Sequence, residues 1–361
     1  MKVLLLNAGS SSLKSSLLES EDLRVLASSA VEVSAGGYAA AARSAIESLP
    51  ERPAAVGHRV VHGGGLTSAI RIDESVRGLL GALADVAPLH NPPNLETIAA
   101  AQALLPDVPH VATFDTAFHA TMPSAATTFP VPYEWTRDWN IRRYGFHGLS
   151  YAYSARRAPE LLGHPIERLV VCHLGQGCSA AAILRGRSVD TTMGFTPLDG
   201  LMMATRGGSI DPGVITYVQR RHNLSAADID DALNHRAGLL GVSGVSADMR
   251  EVLAAARVGD ERAELAVGIY VRRVRQAIGA FTATLGGLDT LVFTAGVGEH
   301  SAEIRESVCR GLACLGVELD DDANTHCRPD TDIAAPGSHA RVLVITARED
   351  LAMLAEVLRA L

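Results

Sequence analysis

Short runs of apolar residues that end in polar or glycine residues recur along the chain and predict the strands of an α/β fold. Residues 3–6 form the first run, Asn7-Ala8-Gly9 interrupts it, and a second strand follows to residue 18. A run that is apolar at every position is typical of a strand buried on both faces, and the glycine after it favours a tight hairpin. The chain therefore opens with a predicted strand, turn and strand.

The same patterns predict the remaining elements. Further strands are predicted at residues 56–62, 110–114, 169–184 (as a hairpin), 288–293 and 341–345. Helices are predicted at residues 39–49, 73–86, 94–105, 150–162, 246 onward, 260–285, 303–315 and 349–361. Short polar side chains are predicted to cap three of these helices at Asp73, Asn94 and Ser246. Apolar residues at helical spacing predict core-facing stripes that include Leu79, Leu265 and Leu358.

The segment 169–184 repeats the opening pattern when Gly175 is set against Gly9. Both segments run from an apolar strand through a polar residue and a glycine turn into a second strand. One such match is weak because strand, glycine and strand is a common sequence. Two matches half a chain apart predict two domains built on one duplicated plan, with a cleft between them.

Composition narrows the class of protein. The chain has 361 residues, of which 47% are hydrophobic and 20% charged, so it is long enough for two globular domains. A net charge of -8 argues against binding a nucleic-acid backbone. No apolar run has the length of a membrane span, which predicts a cytoplasmic protein with no membrane partner. The five cysteines form no C-x-x-C pair, so neither a disulfide framework nor a zinc site is predicted.

Several residues of the predicted loops and strand ends suit the handling of phosphate. The hydroxyls of Ser10 and Ser12, with the ammonium of Lys14, surround the opening turn, for which an idle polar hairpin is the alternative. Phosphoryl transfer needs the phosphates to be held and their charge neutralised, which arginines and histidines can do. The candidates are the interior Arg59 and Arg206 and the loop histidines His90, His147 and His173. Asn7, Asp115 and Glu349 offer the oxygen atoms that Mg²⁺ prefers, although Asp115 is also explained as a turn or cap residue.

Nine motifs in order carry a resemblance to a known family. They are NAGSSSLK, HRVVHGG, APLHNPPN, FDTAFH, RRYGFHG, HLGQG, MGFTPLDGLMMATR, SADMR and AGVGE. The chain resembles the acetate kinases, which belong to the acetate and sugar kinase, Hsp70 and actin superfamily. The resemblance implies two actin-like, ribonuclease H-like domains of the βββαβαβα type. It places the first at residues 1–149 plus 346–361, with the last helix crossing back, and the second at 150–345, with the nucleotide site and the contact of a homodimer.

The resemblance also implies a role for individual residues. It places Asn7 and Glu349 at Mg²⁺, with Arg59, His90, Asp115, His147 and Arg206 as the catalytic set. It implies that ATP or ADP and the transferring phosphate contact Ser10, Ser12, Lys14, His173, Gly175, Gly177, Asp248, Met249, Arg250, Gly296 and Gly298. It implies a small acyl pocket of Val61, Leu89, Phe146 and Pro197. A pocket this small favours acetate or propionate, because tight packing leaves no volume for further methylenes.

The sequence departs from the family pattern at a few positions. Gly207-Gly208-Ser209 stands where Ser-Gly-Asp is usual, so a hydroxyl and a carboxylate are missing beside Arg206. The other departures are Gln176, His300, Tyr151 and Arg348. None removes a residue with an implied catalytic role.

Three functions are weighed on this basis. The first is acetate kinase, which makes acetyl phosphate and ADP from acetate and Mg-ATP in a reversible in-line transfer. The second is a propionate or butyrate type of carboxylate kinase, which differs in pocket size. The third is a non-kinase ATP-binding module of the same fold, which the intact acyl pocket disfavours.

Overall fold

The computed structural model describes residues 1–9, 12–33, 36–87 and 90–361. The strands in these residues are β1 Lys2–Ala8, β2 Ser12–Glu19, β3 Val25–Glu32, β4 Ala55–Val60, β5 Ile70–Arg71, β6 His110–Phe114, β7 Arg168–Leu174, β8 Cys178–Leu184, β9 Arg187–Thr191, β10 Thr290–Thr294, β11 Thr331–Asp332 and β12 Arg341–Val344. The α-helices are α1 Tyr38–Glu47, α2 Glu74–Gly81, α3 Asn91–Leu104, α4 Ser124–Thr127, α5 Tyr133–Trp139, α6 Gly148–Leu162, α7 Pro212–His222, α8 Ala226–His235, α9 Gly238–Ser243, α10 Met249–Arg257, α11 Glu261–Leu285, α12 Ala295–His300, α13 Ala302–Cys309, α14 Asp321–Thr325 and α15 Glu349–Ala360. Short 3-10 helices span Ala117–Thr121 and Ala313–Leu315.

The chain divides into two compact units. The first unit comprises Met1–Ala120, Phe146–Tyr153 and Arg348–Leu361. The second unit comprises Thr121–Gly145 and Ser154–Ala347. The domain bounds implied by the sequence remain a prediction.

Each unit is built on a sheet with the same plan. Within the described residues, the first sheet has the order β3-β2-β1-β4-β6-β5 and the second, read from its other edge, the order β9-β8-β7-β10-β12-β11. In both, the first three strands are antiparallel and the next two join them in parallel. The predicted duplication, and with it the α/β class of two actin-like domains, is confirmed.

The core of the first unit follows from its apolar runs. Val3 to Leu6 in β1 are at most 2% exposed, and burying each leucine contributes about 2 kcal/mol. Helix α15 packs against β4 and β6, and Gly57 in β4 permits this close approach. A Cβ atom at Gly57 would lie 2.6 Å from Cγ2 of Val357 in α15. The last helix therefore covers one face of the first sheet.

The helix caps match the sequence only in part. Asp73 caps α2 as predicted, since its Oδ1 atom accepts a hydrogen bond of 2.8 Å from the amide of Val76. The prediction for Asn94 is wrong, because α3 begins at Asn91 and Asn94 lies buried in its first turns. The prediction for Ser246 is also wrong, because α10 begins at Met249 and the carboxylate of Asp248 caps it. Asp248 takes over the cap of α10, and α3 begins with Asn91 followed by two prolines.

Three leucines predicted to face the core are exposed. The exposed fractions are 54% for Leu79, 56% for Leu265 and 40% for Leu358. In α15 the predicted Leu351 and Leu354 are buried, together with Ala352, Met353 and Val357. Helical spacing identified the correct helices, but it placed the edge of each apolar stripe one position too far towards water.

A pair of buried histidines joins β4 to β6 inside the first unit. Nε2 of His58 lies 2.9 Å from Nδ1 of His110, and Nε2 of His110 lies 3.0 Å from the carbonyl oxygen of Leu105. The carbonyl can only accept, so His110 donates through Nε2 and accepts at Nδ1 from His58. Nδ1 of His58 is buried, and in the described residues no hydrogen-bond partner lies near it. A proton at this atom would therefore carry a buried charge without an acceptor.

The buried histidines of the first unit predict that the stability of the protein falls in acid. Burial lowers the pKa of His58 well below its ordinary value, lowers that of His110, and lowers that of His62 to about 4. In the unfolded chain histidine titrates near about 6.5, so the unfolded state binds more protons as the pH falls towards 4. We expect the free energy of unfolding to be largest above this window and to fall within it, by up to about 1.4 kcal/mol per pH unit for each histidine.

Urea unfolding across this pH window measures the effect. His58→Gln should reduce the slope of stability against pH, because one of the three protonation sites is lost. His235→Gln, in which an exposed histidine is replaced, is the matched control and should keep the full slope. An unchanged slope in His58→Gln would contradict the assignment.

Candidate active site

A cluster of four side chains surrounds Arg59 in the first unit. Nε and Nη2 of Arg59 donate to the two carboxylate oxygens of Asp115 at 3.0 and 2.6 Å. Nη1 donates to Oδ1 of Asn7 at 3.0 Å and lies 3.3 Å from Oε2 of Glu349. Nδ2 of Asn7 donates to the same oxygen of Glu349 at 3.3 Å. Residues from β1, β4, the end of β6 and the start of α15 thus meet at one guanidinium.

The topology of the sheet explains why these four residues meet. Strands β1, β4 and β6 are parallel neighbours, and Asn7, Arg59 and Asp115 lie at or just beyond their carboxyl ends. Open α/β sheets place their chemistry at this edge. Arg59, a charged residue in the apolar segment 56–62, is thereby paired with a carboxylate.

Burial and charge determine the protonation of this cluster. Asp115 is 1% exposed, and burial raises the pKa of its carboxyl group, which Arg59 opposes. Burial disfavours the charge on Arg59, but Asp115 and Glu349 outweigh it and raise the pKa of the guanidinium. Two hydrogen bonds join the guanidinium of Arg59 to both carboxylate oxygens of Asp115, and this geometry supports a charged arginine facing a carboxylate. The cluster is therefore a fixed arrangement of charges.

His147 is held beside Asp115 by its backbone. Its φ angle is +58°, a left-handed conformation that is uncommon for a residue with a side chain, and its amide donates to Asp115. The next amide, of Gly148, donates to the carbonyl oxygen of Asp115 at 2.8 Å, and a Cβ atom on Gly148 would lie 2.2 Å from that oxygen. Strained residues of this kind occur at functional sites, and this one holds the backbone of His147 next to the Arg59 cluster.

The opening hairpin adds a lysine to the same edge of the first sheet. Asn7 lies directly opposite Lys14 in the ladder of β1 and β2, so both side chains lie on one face. Lys14 is exposed, and the amide of Gly9 donates to the carbonyl oxygen of Ser12 at 2.8 Å across the turn. Ser10 lies outside the described residues.

In the second unit, a glycine turn and the loop that carries Arg206 are joined. The amide of Gly175 donates to the carbonyl oxygen of Gly177 at 3.1 Å, and the carbonyl oxygen of Gln176 accepts from the amide of Ala204 at 3.1 Å. The thiol of Cys178 donates to the carbonyl oxygen of Gly175 at 3.2 Å. The turn between β7 and β8 is thus fastened to the segment just before Arg206.

Arg206 is a desolvated cation. Its Nη1 atom donates to the carbonyl oxygen of Pro197 at 2.8 Å. Among residues 1–9, 12–33, 36–87 and 90–361, no carboxylate forms an ion pair with it. Burial lowers the pKa of Arg206, yet arginine remains charged at neutral pH. A positive charge in this setting is suited to an anionic ligand.

The segments predicted to bind the nucleotide also lie in the second unit. Asp248 caps α10, and hydrogen bonds from the side chain and amide of Arg250 lower its pKa to about 2. Met249 is buried and Arg250 is exposed. Gly296 stands at the start of α12 directly after β10, and a Cβ atom there would meet no other atom within 4 Å. The open space over Gly296 leaves its backbone accessible.

Comparisons with known proteins place the chain in a family. The sequence model of the acetokinase family matches residues 38–355. The chain belongs to the acetokinase family. The acetate kinase of Nostoc punctiforme is 52% identical over 301 residues, which cover 82% of this chain and 74% of that protein.

Solved structures of kinases agree with this fold along nearly the whole chain. The acetate kinase of Porphyromonas gingivalis superimposes with a TM-score of 0.91 and 36% identity, over 99% of both chains. A propionate kinase from Francisella tularensis superimposes with a TM-score of 0.92 and 37% identity, over 98% of both chains. The resemblance stated from the motifs is confirmed.

The site residues that the family resemblance implies form one group in each unit. In the first unit, Asn7, Arg59, Asp115, His147 and Glu349 are in contact, while His90 directly precedes α3 and is partly buried. In the second unit, the turn of Gly175 and Gly177 is joined to the loop of Arg206, and His173 is buried at the end of β7. The catalytic and binding roles of these residues remain predictions.

The residues predicted for the acyl pocket are mostly buried. Val61 is 4% exposed, Phe146 is 1% exposed, and Pro197 is partly buried with its carbonyl oxygen bonded to Arg206. Leu89 lies outside the described residues. The pocket assignment remains a prediction.

Sequence reasoning missed a supporting residue in the first unit. Oδ1 of Asn94 accepts from the amide of Val61 at 3.2 Å, and its Nδ2 donates to the carbonyl oxygen of Ala8 at 2.9 Å. One amide side chain therefore fixes both the strand end beside Arg59 and the strand end beside Asn7. Its place in the motif APLHNPPN was the available signal, but a capping role also fitted it.

The first unit has oxygen donors suited to magnesium, which the family implies. Oδ1 of Asn7 and Oε2 of Glu349 lie 3.0 and 3.3 Å from Nη1 of Arg59, so an amide oxygen and a carboxylate oxygen lie close together. Within the described part of the chain, no three His, Cys, Asp or Glu side chains form a metal-binding group. Mg²⁺ commonly takes one or two protein oxygens and completes its shell with water and substrate phosphates. The residues present fit that mode of binding.

Proposed function

We propose that the protein is an acetate kinase, which transfers the terminal phosphoryl group of ATP to acetate and catalyses the reverse reaction. Membership of the acetokinase family and the relatives named acetate kinase support a phosphotransferase that acts on a carboxyl group. The observation that carries the proposal is the partly buried guanidinium of Arg206, which has no carboxylate partner in the described residues and suits an anionic substrate.

In the proposed mechanism the carboxylate of acetate attacks the terminal phosphorus directly. Acetate is already ionised at neutral pH, so no strong general base is required. Arg59 and Arg206 would bind the carboxylate and the phosphoryl group, and His147 would stabilise the charge that develops in transfer. Asp115, which is bonded to Arg59 through both of its oxygens, would position that arginine. His90 would support the same group.

Asn7 and Glu349 would hold Mg²⁺, which would neutralise charge on the nucleotide phosphates. On the protein side, the backbone of the turn at Gly175 and Gly177 would lie against the phosphates. The other residues proposed to contact ATP or ADP are Ser10, Ser12, Lys14, His173, Asp248, Met249, Arg250, Gly296 and Gly298. The open space at Gly296 supports a close approach of the nucleotide to the backbone.

Val61, Leu89, Phe146 and Pro197 are proposed to surround the methyl group of the acid. The near-complete burial of Val61 and Phe146 supports a small pocket, because a tightly packed wall yields little volume. A discrimination of about 10- to 200-fold against one added methylene is typical of such a pocket. The similarity to a solved propionate kinase makes propionate the second acid to test.

A coupled assay of ADP release with acetate, propionate and butyrate tests the function. We expect the highest kcat/KM with acetate, a lower value with propionate, and a further drop with butyrate, in the presence of ATP and Mg²⁺. Omitting the acid is the control for ATP hydrolysis. Release of ADP that is independent of every acid would refute the kinase and support an ATP-binding module, an alternative that the family and the named relatives do not favour.

We propose that the protein is a homodimer in which the second unit supplies the contact. Val214 and Tyr217 lie three residues apart on α7 and Ile210 lies just before the helix, and they are 49%, 55% and 39% exposed. An exposed apolar stripe of this kind suits burial against a second copy. Sedimentation of the variant Tyr217→Glu would test this proposal. Val258→Glu, which changes an isolated exposed valine, is the control. If both variants formed equally strong dimers, the stripe would not be the dimer contact.

The cellular location remains a prediction. Among the described residues, none of the helices has the length and apolar character needed to cross a bilayer. A cytoplasmic location is proposed because the reaction consumes ATP.

A further inference from the structure

Three residues close the loop that carries Arg206. Oδ1 of Asp199 accepts from the hydroxyl of Ser209 at 2.6 Å and from the amide of Gly200 at 2.8 Å. The amide of Ser209 donates in turn to the carbonyl oxygen of Gly200 at 2.9 Å. We call Asp199, Gly200 and Ser209 the clasp. It joins residues that are ten apart in sequence through a single carboxylate oxygen and one backbone hydrogen bond.

The backbone near the clasp leaves no room for side chains at two glycines. Gly208 has a φ angle of +74°, and a Cβ atom there would lie 2.3 Å from the carbonyl oxygen of Gly200. A Cβ atom at Gly194 would lie 2.6 Å from Oδ2 of Asp199. These close approaches show that the two sides of the loop are packed directly against each other.

The second oxygen of Asp199 faces a different arginine. Oδ2 lies 3.5 Å from Nη1 of Arg143, which also donates to the carbonyl oxygens of Thr191, Thr192 and Met193 at 2.9 to 3.1 Å. Arg143 thereby fixes the start of the same loop. Asp199 is thus held from two sides, by the clasp and by Arg143.

Arg206 lies within the segment that the clasp closes. Its Nη1 atom binds the carbonyl oxygen of Pro197, two residues before Asp199, and its own carbonyl oxygen accepts from the amide of Met203 at 2.9 Å. Asp199 is not an ion-pair partner of Arg206 in the described residues. The carboxylate therefore fixes the loop without neutralising the charge of Arg206.

We propose that Asp199 is a positioning residue that acts through Ser209 and Gly200 to hold the guanidinium of Arg206 in place for an anionic substrate. The inference rests on the proposed function for the identity of that anion, the carboxylate or phosphoryl group. It assigns a purpose to Ser209, at which the sequence departs from the family pattern. Its hydroxyl donates the hydrogen bond that Oδ1 of Asp199 accepts.

A double-mutant cycle of Asp199→Ala and Arg206→Ala tests the proposal. We expect Asp199→Ala to lower kcat/KM for the acid by about 10- to 100-fold, as displacement of a substrate-binding group by about 1 Å can do. The KM for ATP should change little. In the Arg206→Ala background, Asp199→Ala should cause no further loss, because the group that it positions is already absent. Fully additive losses would overturn the proposal.

A second pair of variants keeps the proposal testable if Asp199→Ala does not fold. Ser209→Ala removes the hydroxyl that donates to Asp199, so we expect a loss of kcat/KM in the same direction as that of Asp199→Ala. Ser209→Thr keeps a hydroxyl at this position and should retain much of the activity. Wild-type activity in Ser209→Ala, or activity in Ser209→Thr that is no higher than in Ser209→Ala, would contradict the clasp.

Asp211→Ala is the matched control. Asp211 lies two residues beyond the clasp and accepts a hydrogen bond of 2.8 Å from the amide of Gly213, so its loss removes a similar bond from the same segment. We expect its kcat/KM to stay near that of the wild type. A wild type that is inactive with every acid refutes the proposed function, whereas an active wild type with equally active Asp199 variants refutes only the clasp.

Discussion

Replacing Arg59 by alanine is expected to lower kcat by about 1,000-fold or more and to lower the free energy of unfolding by about 3–5 kcal/mol. The kinetic loss follows from the removal of a cation proposed to bind the transferring group. The loss of stability follows because Asp115, which is 1% exposed, would keep a buried charge without its partner. Steady-state kinetics and urea unfolding measure the two effects separately.

The variant Arg59→Ala with Asp115→Asn separates stability from catalysis. Asparagine removes the unpaired charge at residue 115, so much of the lost stability should return while kcat stays low. ATP binding, measured by calorimetry, should persist in both variants. If the double variant regained turnover together with stability, Arg59 would have a structural role only.

Replacing Arg206 by alanine is expected to lower kcat by about 100- to 1,000-fold with little effect on stability, a change of about 1 kcal/mol or less. Arg206 differs from Arg59 because it has no carboxylate partner in the described residues, so its loss leaves no buried charge behind. The substitution removes one hydrogen bond to a carbonyl oxygen, and it also removes the free-energy cost of keeping a desolvated cation. Kinetics and urea unfolding of the same preparation measure both quantities.

Two further variants serve as controls for Arg206. Arg206→Lys keeps the charge but loses the two-pronged geometry of the guanidinium, so we expect only partial activity. Arg236→Ala removes an exposed arginine that pairs with Asp231 at 2.7 Å on the surface, and it should leave kcat unchanged. A fall in stability of several kcal/mol in Arg206→Ala, with a proportionate fall in activity, would contradict an anion-binding role.

Much of the fold could be predicted because the decisive strands are apolar at nearly every position. β1, β4, β6, β7 and β10 were all anticipated from such runs. β3 was not, because most of its residues are exposed and its sequence VLASSAVE has no clear alternation. An exposed edge strand is specified by pairing with its neighbour, which a local pattern does not reveal.

The chemistry of the candidate site could be predicted by residue type but not by partner. A charged residue within an apolar strand is usually paired or faces a cavity, which singles out Arg59. That its partner is Asp115 depends on the neighbouring positions of β4 and β6, which are 56 residues apart in sequence at this contact. The bond between Asp199 and Ser209 was missed for the same kind of reason, since it depends on the path of a loop without periodicity.

The first unit contains segments that are distant in sequence, and this affects the order in which the chain folds during synthesis. The first unit contains Arg348–Leu361, whose helix covers β4 and β6 and supplies Glu349 to the Arg59 cluster. Domains commonly fold in order as the ribosome produces them, beginning with the amino-terminal one. In this protein the sheet of the first unit must wait for residues 348–361, so the Arg59 cluster is completed only after residues 154–347 of the second unit have been translated.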